Sequence, residues 1–201
     1  MAINRQKIID SMSKIKVYGN EDGLIPAFGV FVNQLPGQFW NDFADRLMRR
    51  IGPSMREAGE YLLVNAAQEC GYHTGYGIIT SEEWKAVVAP MVEKQPEDIL
   101  HGAFAVFSAW GWANCEIVEL EPKKRMLLRA YNYYESDVVQ YGITKQPSAY
   151  MIRGVAAAFM DLAYGGPYDR SGKTGLRTFS CKQTKGIECG DECGEFIVSQ
   201  S

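Results

Sequence analysis

Residues 179–198 read FSCKQTKGIECGDECGEFIV and contain three of the five cysteines of the chain, Cys181, Cys189 and Cys193. Thiolates favour zinc or the iron of iron–sulfur clusters, and cysteines this close, separated by glycines and acidic residues, are typical of a small metal site. The spacing is not that of a standard zinc finger, so a disulfide or redox pair and inert buried thiols are alternatives. We expect these three cysteines to hold a metal, either zinc or an iron–sulfur cluster.

The composition is that of a single globular domain. The chain has 201 residues, 46% hydrophobic and 22% charged, with a net charge of -3. This predicts an N-terminal helix and loop over residues 1–23, followed by one domain over 24–201. The mild acidity gives no reason to expect a nucleic acid or an anionic membrane as partner. The chain starts without a secretory signal pattern and has no long apolar run, so we expect a cytoplasmic protein.

The hydrophobic spacing predicts helices around a small sheet. Residues 36–50 carry apolar side chains at helical intervals. Three later runs are rich in β-branched and aromatic residues, and the last two are joined by a short turn that predicts a hairpin. These runs are 104–110, 114–121 and 125–133. The predicted fold class is α+β, a small antiparallel sheet flanked by helices, with a C-terminal cysteine-rich loop.

Two glycine-containing stretches are predicted to have different structures, the first a turn and the second a helix. Residues 71–77 contain three glycines and predict a tight corner between helices. Residues 146–163 predict a long helix, in which Gly154 and the alanines 156–158 form a small-residue stripe. Such a stripe permits close packing on the sheet or on a second subunit, so we expect a homodimer.

A set of further residues carries a resemblance to a known family. The residues are Leu100-His101, Tyr141-Gly-Ile143, Pro147-Ser-Ala149-Tyr150, Gly154, and the pair Cys181 and Cys189 continuing to Phe196. In this order, from about residue 24 to 198, the chain resembles the 4-vinyl reductase domain family, also described as predicted hydrocarbon-binding domains. The family includes the sensory domains of phenol- and toluene-responsive transcription activators.

The resemblance implies an α+β fold, dimerisation and a zinc held partly by two cysteines. Cys181 and Cys189 match that pair. Ala149 stands where the family has a cysteine, and Thr178 stands where it has a glutamate. Cys193 is the candidate to replace a missing ligand.

The resemblance also implies a ligand site. His101 corresponds to a histidine that hydrogen-bonds a phenolic hydroxyl, and Tyr131 is the nearest counterpart of an assisting tryptophan. The alternative for His101 is a role in capping a helix end. The candidate pocket walls are aromatic, although large aromatic residues are also common in ordinary cores. They are Phe104, Phe107, Trp110 and Trp112.

These observations predict a stand-alone binding protein for a small hydrophobic or aromatic molecule, with a sensory role that requires a separate output or enzyme partner. One alternative is an enzyme or accessory protein that acts on a tetrapyrrole or uses a redox cysteine centre. A second is a protein-interaction module, since the fold is similar to that of vesicle-tethering subunits. The sequence has no nucleotide fingerprint, no Ser-His-Asp order and no paired carboxylates in a glycine-rich setting, which favours binding over catalysis.

Overall fold

The computed structural model describes residues 3–201, which form seven α-helices and six β-strands. The helices are α1 Arg5–Met12, α2 Gly37–Ile51, α3 Arg56–Thr80, α4 Glu82–Val87, α5 Glu97–Ala109, α6 Val138–Tyr141 and α7 Tyr150–Tyr164. The strands are β1 Ile25–Ala27, β2 Val30–Val32, β3 Ala113–Glu121, β4 Arg125–Tyr133, β5 Phe179–Lys185 and β6 Gly194–Gln200. This α+β arrangement confirms the predicted fold class.

The main sheet is antiparallel and has the strand order β3-β4-β6-β5. The predicted hairpin is confirmed, since β3 and β4 pair from Ala113 opposite Tyr133 to Glu121 opposite Arg125. The turn between them is tight, and the Lys124 N–H donates to the Glu121 carbonyl at 3.0 Å. The strands β1 and β2 form a separate two-stranded sheet.

One face of the main sheet is buried under helices. Alternate residues of β5, namely Phe179, Cys181 and Gln183, are buried, while their neighbours are exposed. This period of two is that of a strand with one wet face. The helix α7 packs on β5 and β6, and α5 packs on β3. The helix α1 packs on α5, and its residues Ile8 and Met12 are almost fully buried. The N-terminal segment therefore contributes to the core.

Of the elements within residues 3–201, α3 and α7 have the most extensive contact, and small residues permit it. A methyl group on Gly71 would lie 3.1 Å from the Ala158 Cβ, and one on Gly154 would lie 2.5 Å from the Val64 carbonyl oxygen. The small-residue stripe predicted on α7 is therefore real, but it is buried against α3 and the sheet. A second subunit has no access to it.

Two local predictions were wrong. Residues 104–110 lie in and just beyond α5 rather than in a strand, because residues 102–107 are buried on all sides and a continuous apolar run does not distinguish a helix from a buried strand. Residues 71–77 lie inside α3 rather than in a corner. Their glycines allow close packing: a methyl group on Gly77 would lie 3.0 Å from the Phe28 carbonyl oxygen.

A buried carboxyl group joins α3, α7 and the start of β5. Asp161 is 0% exposed and accepts hydrogen bonds from the Gln68 side chain at 2.7 Å and from the backbone N–H groups of Arg177 and Phe179, both at 2.9 Å. Burial raises the pKa of Asp161 to about 6, against the opposing effect of these donors. The loop between α7 and β5 is thus tied back to the end of the helix.

Within residues 3–201, no helix combines the length and the apolar character needed to cross a bilayer.

Candidate functional site

An apolar cavity of about 60 Å³ lies between α3, α5 and α7. Its floor is buried and its rim is half-buried. The floor residues are Gly75, Ile78, Leu100, Ala103 and Phe159. The rim residues are Ile79, Pro96, Ile99, Leu162 and Ala163.

Small residues at the crossing of the three helices create this space. Gly75, Ala103 and Ala163 have little or no side chain, while their larger neighbours keep the helix axes apart. A methyl group on Gly75 would lie 2.7 Å from Leu162 Cδ1 and 3.0 Å from Phe159 Cε1, so both side chains lean over the glycine. Leu162 is half-buried and is one of the rim residues.

A second, larger depression is open and polar. It has a volume of about 380 Å³ and lies where the start of α2 meets the segment after β4. Asn41 in its wall donates to the Tyr134 carbonyl at 2.8 Å. Its lining includes Gln38, Asn132 and Asp137, so it offers little apolar surface to a hydrocarbon.

His101 and Tyr131, the predicted polar ligand-binding residues, are exposed. His101 is exposed on α5, where partial desolvation lowers its pKa and Asp98 opposes this effect. Tyr131 on β4 is 46% exposed, and its hydroxyl donates to Glu116 at 2.7 Å. Neither residue lines either of the two cavities. Their role in ligand binding stays a prediction.

The predicted aromatic walls form part of the core. Phe104 and Phe107 are buried on α5, and their ring centroids lie 5.0 and 6.3 Å from that of Phe159. Trp112 stacks on Phe107 with centroids 5.6 Å apart. Trp110 packs on Phe28 at 4.3 Å. Phe104 and Phe107 do not line the cavity, but both contact Phe159, which belongs to its floor.

The cysteine side chains of the C-terminal stretch lie in different environments. Cys181 faces the buried side of the sheet, and burial raises its pKa to about 12, which disfavours the thiolate that a metal needs. Cys189 Sγ lies 3.7 Å from the Thr144 hydroxyl. Cys193 is half-buried, in the bend just before β6.

These residues do not fit the expected metal. Within the described part of the chain, no three His, Cys, Asp or Glu side chains are grouped so that they could hold an ion. Zinc or an iron–sulfur cluster on Cys181, Cys189 and Cys193 therefore stays a prediction without geometric support.

A hydrogen-bond network occupies the cysteine-rich loop instead. Glu188 is 3% exposed and accepts from the Tyr133 hydroxyl, from Gln183 Nε2 at 2.8 Å and from the Ser148 N–H at 2.9 Å. The Thr144 N–H donates to the Glu188 carbonyl at 2.7 Å. We call Tyr133, Ser148, Gln183 and Glu188 the Glu188 clip. It joins β4, β5, the loop and the segment before α7.

A second carboxyl group caps α7. Glu135 accepts from the Met151 N–H at 2.8 Å and the Ile152 N–H at 3.1 Å. Burial raises the pKa of Glu135 to about 8, and the nearby Glu188 raises it further, while the two N–H donors lower it. The desolvation of this carboxyl group outweighs its favourable position at a helix start.

The raised pKa of Glu135 predicts a pH-dependent stability. A carboxyl group with a higher pKa in the folded state binds its proton more tightly there, so its contribution to stability is complete below its ordinary pKa and is lost as the pH rises to about 8. We expect the melting temperature to fall from about pH 5 to about pH 8. Glu135→Gln should flatten this slope most clearly between about pH 6 and pH 8, because Asp161, whose pKa is raised to about 6, also contributes to the slope at lower pH. Calorimetry of both proteins across that range checks this, and parallel slopes would contradict it.

Sequence reasoning missed Gly75, Ala103 and Ala163 of the cavity and Glu188 of the clip. The glycines of residues 71–77 recur four residues apart at Gly71 and Gly75, which is the interval of one helix face. This signal favoured a packed helix over a corner. Glu188 lies beside Cys189, and nothing in the sequence around it indicates that its side chain binds Tyr133 and Gln183.

Comparisons with known proteins support the fold. No family profile and no curated protein sequence matches the chain. The structure is similar to the phenol-responsive sensory domain of the transcription activator PoxR with phenol, with a TM-score of 0.71 and 12% identity over 100% of this chain and 92% of that one. It is also similar to trafficking protein particle complex subunit 3 from Naegleria fowleri covalently bound to palmitic acid, with a TM-score of 0.48 and 13% identity over 82% and 95% of the two chains. The chain thus shares the fold of the sensory domain.

Proposed function

We propose that the chain is a binding protein for a small hydrophobic or aromatic molecule, which it holds in the cavity between α3, α5 and α7. The observation that carries this proposal is the lining of the cavity, which combines a buried apolar floor with a half-buried rim. Concave apolar sites of this kind are the usual places for small ligands. The sensory domain of the same fold was solved with phenol, which supports an aromatic guest.

Energetics favour an apolar guest over a polar one. Burying about 150 Å² of ring surface at about 25 cal/mol per Å² gives several kcal/mol, which is enough for micromolar binding after the cost of association. The ten cavity-lining residues supply no charged side chain to recognise an ion or a sugar. Specificity would follow from shape.

The cavity is too small for a ring unless its rim moves. An apolar cavity of about 150 Å³ binds benzene, and the present volume is about 60 Å³. Leu162 stands at the rim over Gly75, so its displacement enlarges the space without disturbing the buried floor. We therefore assign Leu162 the role of a gate.

The finer family assignment is also part of this proposal. The chain is a distant member of the 4-vinyl reductase domain family with a cytoplasmic, sensory role read by a separate partner. The order of its motif residues and its shared fold with the phenol sensor support this. His101 and Tyr131 are retained as the alternative ligand-binding positions.

Cavity variants test the proposed site with phenol and toluene as probes. Leu162→Ala should enlarge the cavity and tighten binding by about tenfold, whereas Ala103→Leu should fill it and weaken binding by at least about tenfold. Titration calorimetry measures both, and Leu24→Ala, which removes the same atoms from an exposed position outside the cavity, should change nothing.

Three outcomes would each contradict a different part of the proposal. Unchanged affinity in Ala103→Leu would exclude the cavity. Weaker phenol binding in His101→Ala, with Ala103→Leu unaffected, would place the ligand at the positions that the family resemblance implies. The absence of any binding by the wild type and Leu162→Ala would reject the proposal.

A further inference from the structure

The helix α2 presents aromatic side chains to solvent. None of its fifteen residues is fully buried, although the helix is strongly amphipathic. Phe39 is 51% exposed, Phe43 is 52% exposed and Trp40 is 38% exposed. None of the three lines either of the two cavities described above. Single exposed apolar residues are common on protein surfaces, but three aromatic residues within two turns of one helix indicate an interaction site.

Contacts within the chain show which side of α2 faces the protein. The contacting residues of the helix are Asn41, Asp42, Met48 and Ile51. Asn41 donates to the Tyr134 carbonyl at 2.8 Å, and the Tyr141 hydroxyl donates to Asp42 at 2.6 Å. A methyl group on Gly59 of α3 would lie 2.2 Å from Ile51 Cδ1 and 2.9 Å from Met48 Sδ. At 3.6 residues per turn, these four residues occupy one half of the helix surface, and the three aromatic residues occupy the other half.

Two arginines extend the aromatic side of α2. Arg46 lies seven residues after Phe39, which is about two helical turns. The same interval separates Arg50 from Phe43. Both arginines are exposed. We call this side of the helix the α2 face and define it by Phe39, Trp40, Phe43, Arg46 and Arg50.

The α2 face carries a net positive charge. Within residues 3–201, neither Arg46 nor Arg50 forms an ion pair. The acidic residues of the helix do not neutralise them, because Asp42 lies on the half that contacts the protein and Asp45 is paired with Arg49 at 2.8 Å. Two guanidinium groups therefore stand beside three aromatic rings without a compensating carboxylate.

This combination matches the surface of an anionic lipid bilayer. Aromatic rings settle at the level of the lipid headgroups, and arginines beside them bind the phosphates. The aliphatic part of an arginine side chain packs along apolar surface while its guanidinium group reaches the phosphate. A peptide partner suits the face less well, because peptides bind in grooves and neither described cavity borders the aromatic residues.

We infer that the α2 face binds the surface of an anionic lipid membrane, with the axis of α2 in the plane of the interface. This inference is independent of the proposed ligand cavity. The net charge of -3 gives the chain as a whole no attraction to such a membrane, so binding depends on the local charge and the aromatic residues of this face.

Co-sedimentation of the full chain with vesicles tests the aromatic part of the face. The probes are vesicles of phosphatidylcholine alone and vesicles with about one third phosphatidylserine. The wild type should bind the anionic vesicles at least about tenfold more tightly than the neutral ones. Phe43→Asp should weaken binding to the anionic vesicles by at least about tenfold. Val118→Asp, which makes the same change at an exposed residue of β3, should leave binding unchanged.

A pair of double variants tests the charges. Arg46→Gln combined with Arg50→Gln should weaken binding to the anionic vesicles by about thirtyfold, since an arginine near such a surface contributes about fivefold, and should leave the neutral vesicles unaffected. The matched control is Lys123→Gln combined with Lys124→Gln, which removes two exposed charges from the β3–β4 turn, at the opposite end of β4 from the segment that α2 contacts. Because distant charges are screened, this control should change binding by less than about threefold.

Circular dichroism shows whether each variant is folded. A wild type that stays in the supernatant with anionic vesicles would overturn the inference, as would Phe43→Asp binding with unchanged affinity. Equal weakening by the arginine and lysine pairs would also reject it, because overall charge rather than the α2 face would then determine binding. A dimer in sedimentation velocity that Phe43→Asp dissociates, without any binding to vesicles, would assign the face to a second copy of the chain instead.

Discussion

Gly154→Ala is expected to lower the free energy of unfolding by about 2–4 kcal/mol, even though alanine is intrinsically the better helix former by about 1 kcal/mol. The added methyl group would lie 2.5 Å from the Val64 carbonyl oxygen and 2.6 Å from the Gln68 backbone nitrogen. Both are backbone atoms of α3, so no side chain can rotate away. The two helices must separate along their closest contact.

Urea unfolding of Gly154→Ala measures this cost. Gly19→Ala is the matched control, because a methyl group there meets nothing within 4 Å, and its stability should equal or slightly exceed that of the wild type. A Gly154→Ala protein as stable as the wild type would contradict the close approach of α3 and α7 at Gly154.

Glu188→Ala is expected to destabilise the protein by about 3–5 kcal/mol, because it removes the acceptor shared by all donors of the Glu188 clip. The Tyr133 hydroxyl, Gln183 Nε2 and the Ser148 N–H would be left without it. Glu188→Gln keeps the size and one acceptor oxygen, so its cost should be smaller, about 1–2 kcal/mol. Thermal unfolding of the three proteins gives this ranking.

A chelator distinguishes the clip from a metal centre. If hydrogen bonds hold the cysteine-rich loop, EDTA should leave the melting temperature of the wild type unchanged, and Cys189→Ser should have a small effect. Loss of stability in EDTA together with zinc in elemental analysis would instead support the metal predicted from Cys181, Cys189 and Cys193. Equal stability of Glu188→Ala and the wild type would rule out the clip.

The parts of the fold that were predicted correctly depend on short-range patterns. The strand β3 shows alternation before a proline-containing turn, β4 after the turn is rich in β-prone residues, and α2 shows apolar residues at helical intervals. The second half of α5, from Phe104, was predicted as a strand because its aromatic residues favour a strand locally, whereas burial on all sides stabilises the helix. Tertiary packing therefore overrode local propensity there.

The cavity could not be predicted in the same way. Gly75, Ala103 and Ala163 are far apart in sequence and meet only because three helices cross. Glu188 likewise has partners from β4, β5 and the segment before α7. A single sequence contains the residue types of such a site but not their mutual distances.

The tie between Asp161 and the beginning of β5 has a mechanical consequence for the proposed gate. Leu162, which must move for a guest to enter, is the next residue after Asp161. The Asp161 carboxyl group accepts hydrogen bonds from the backbone N–H groups of Arg177 and Phe179. Movement at the rim would therefore act on β5, which is one of the two edge strands of the main sheet. Binding of a guest in the cavity would thus change the exposed edge of the sheet at β5, where another protein could detect it.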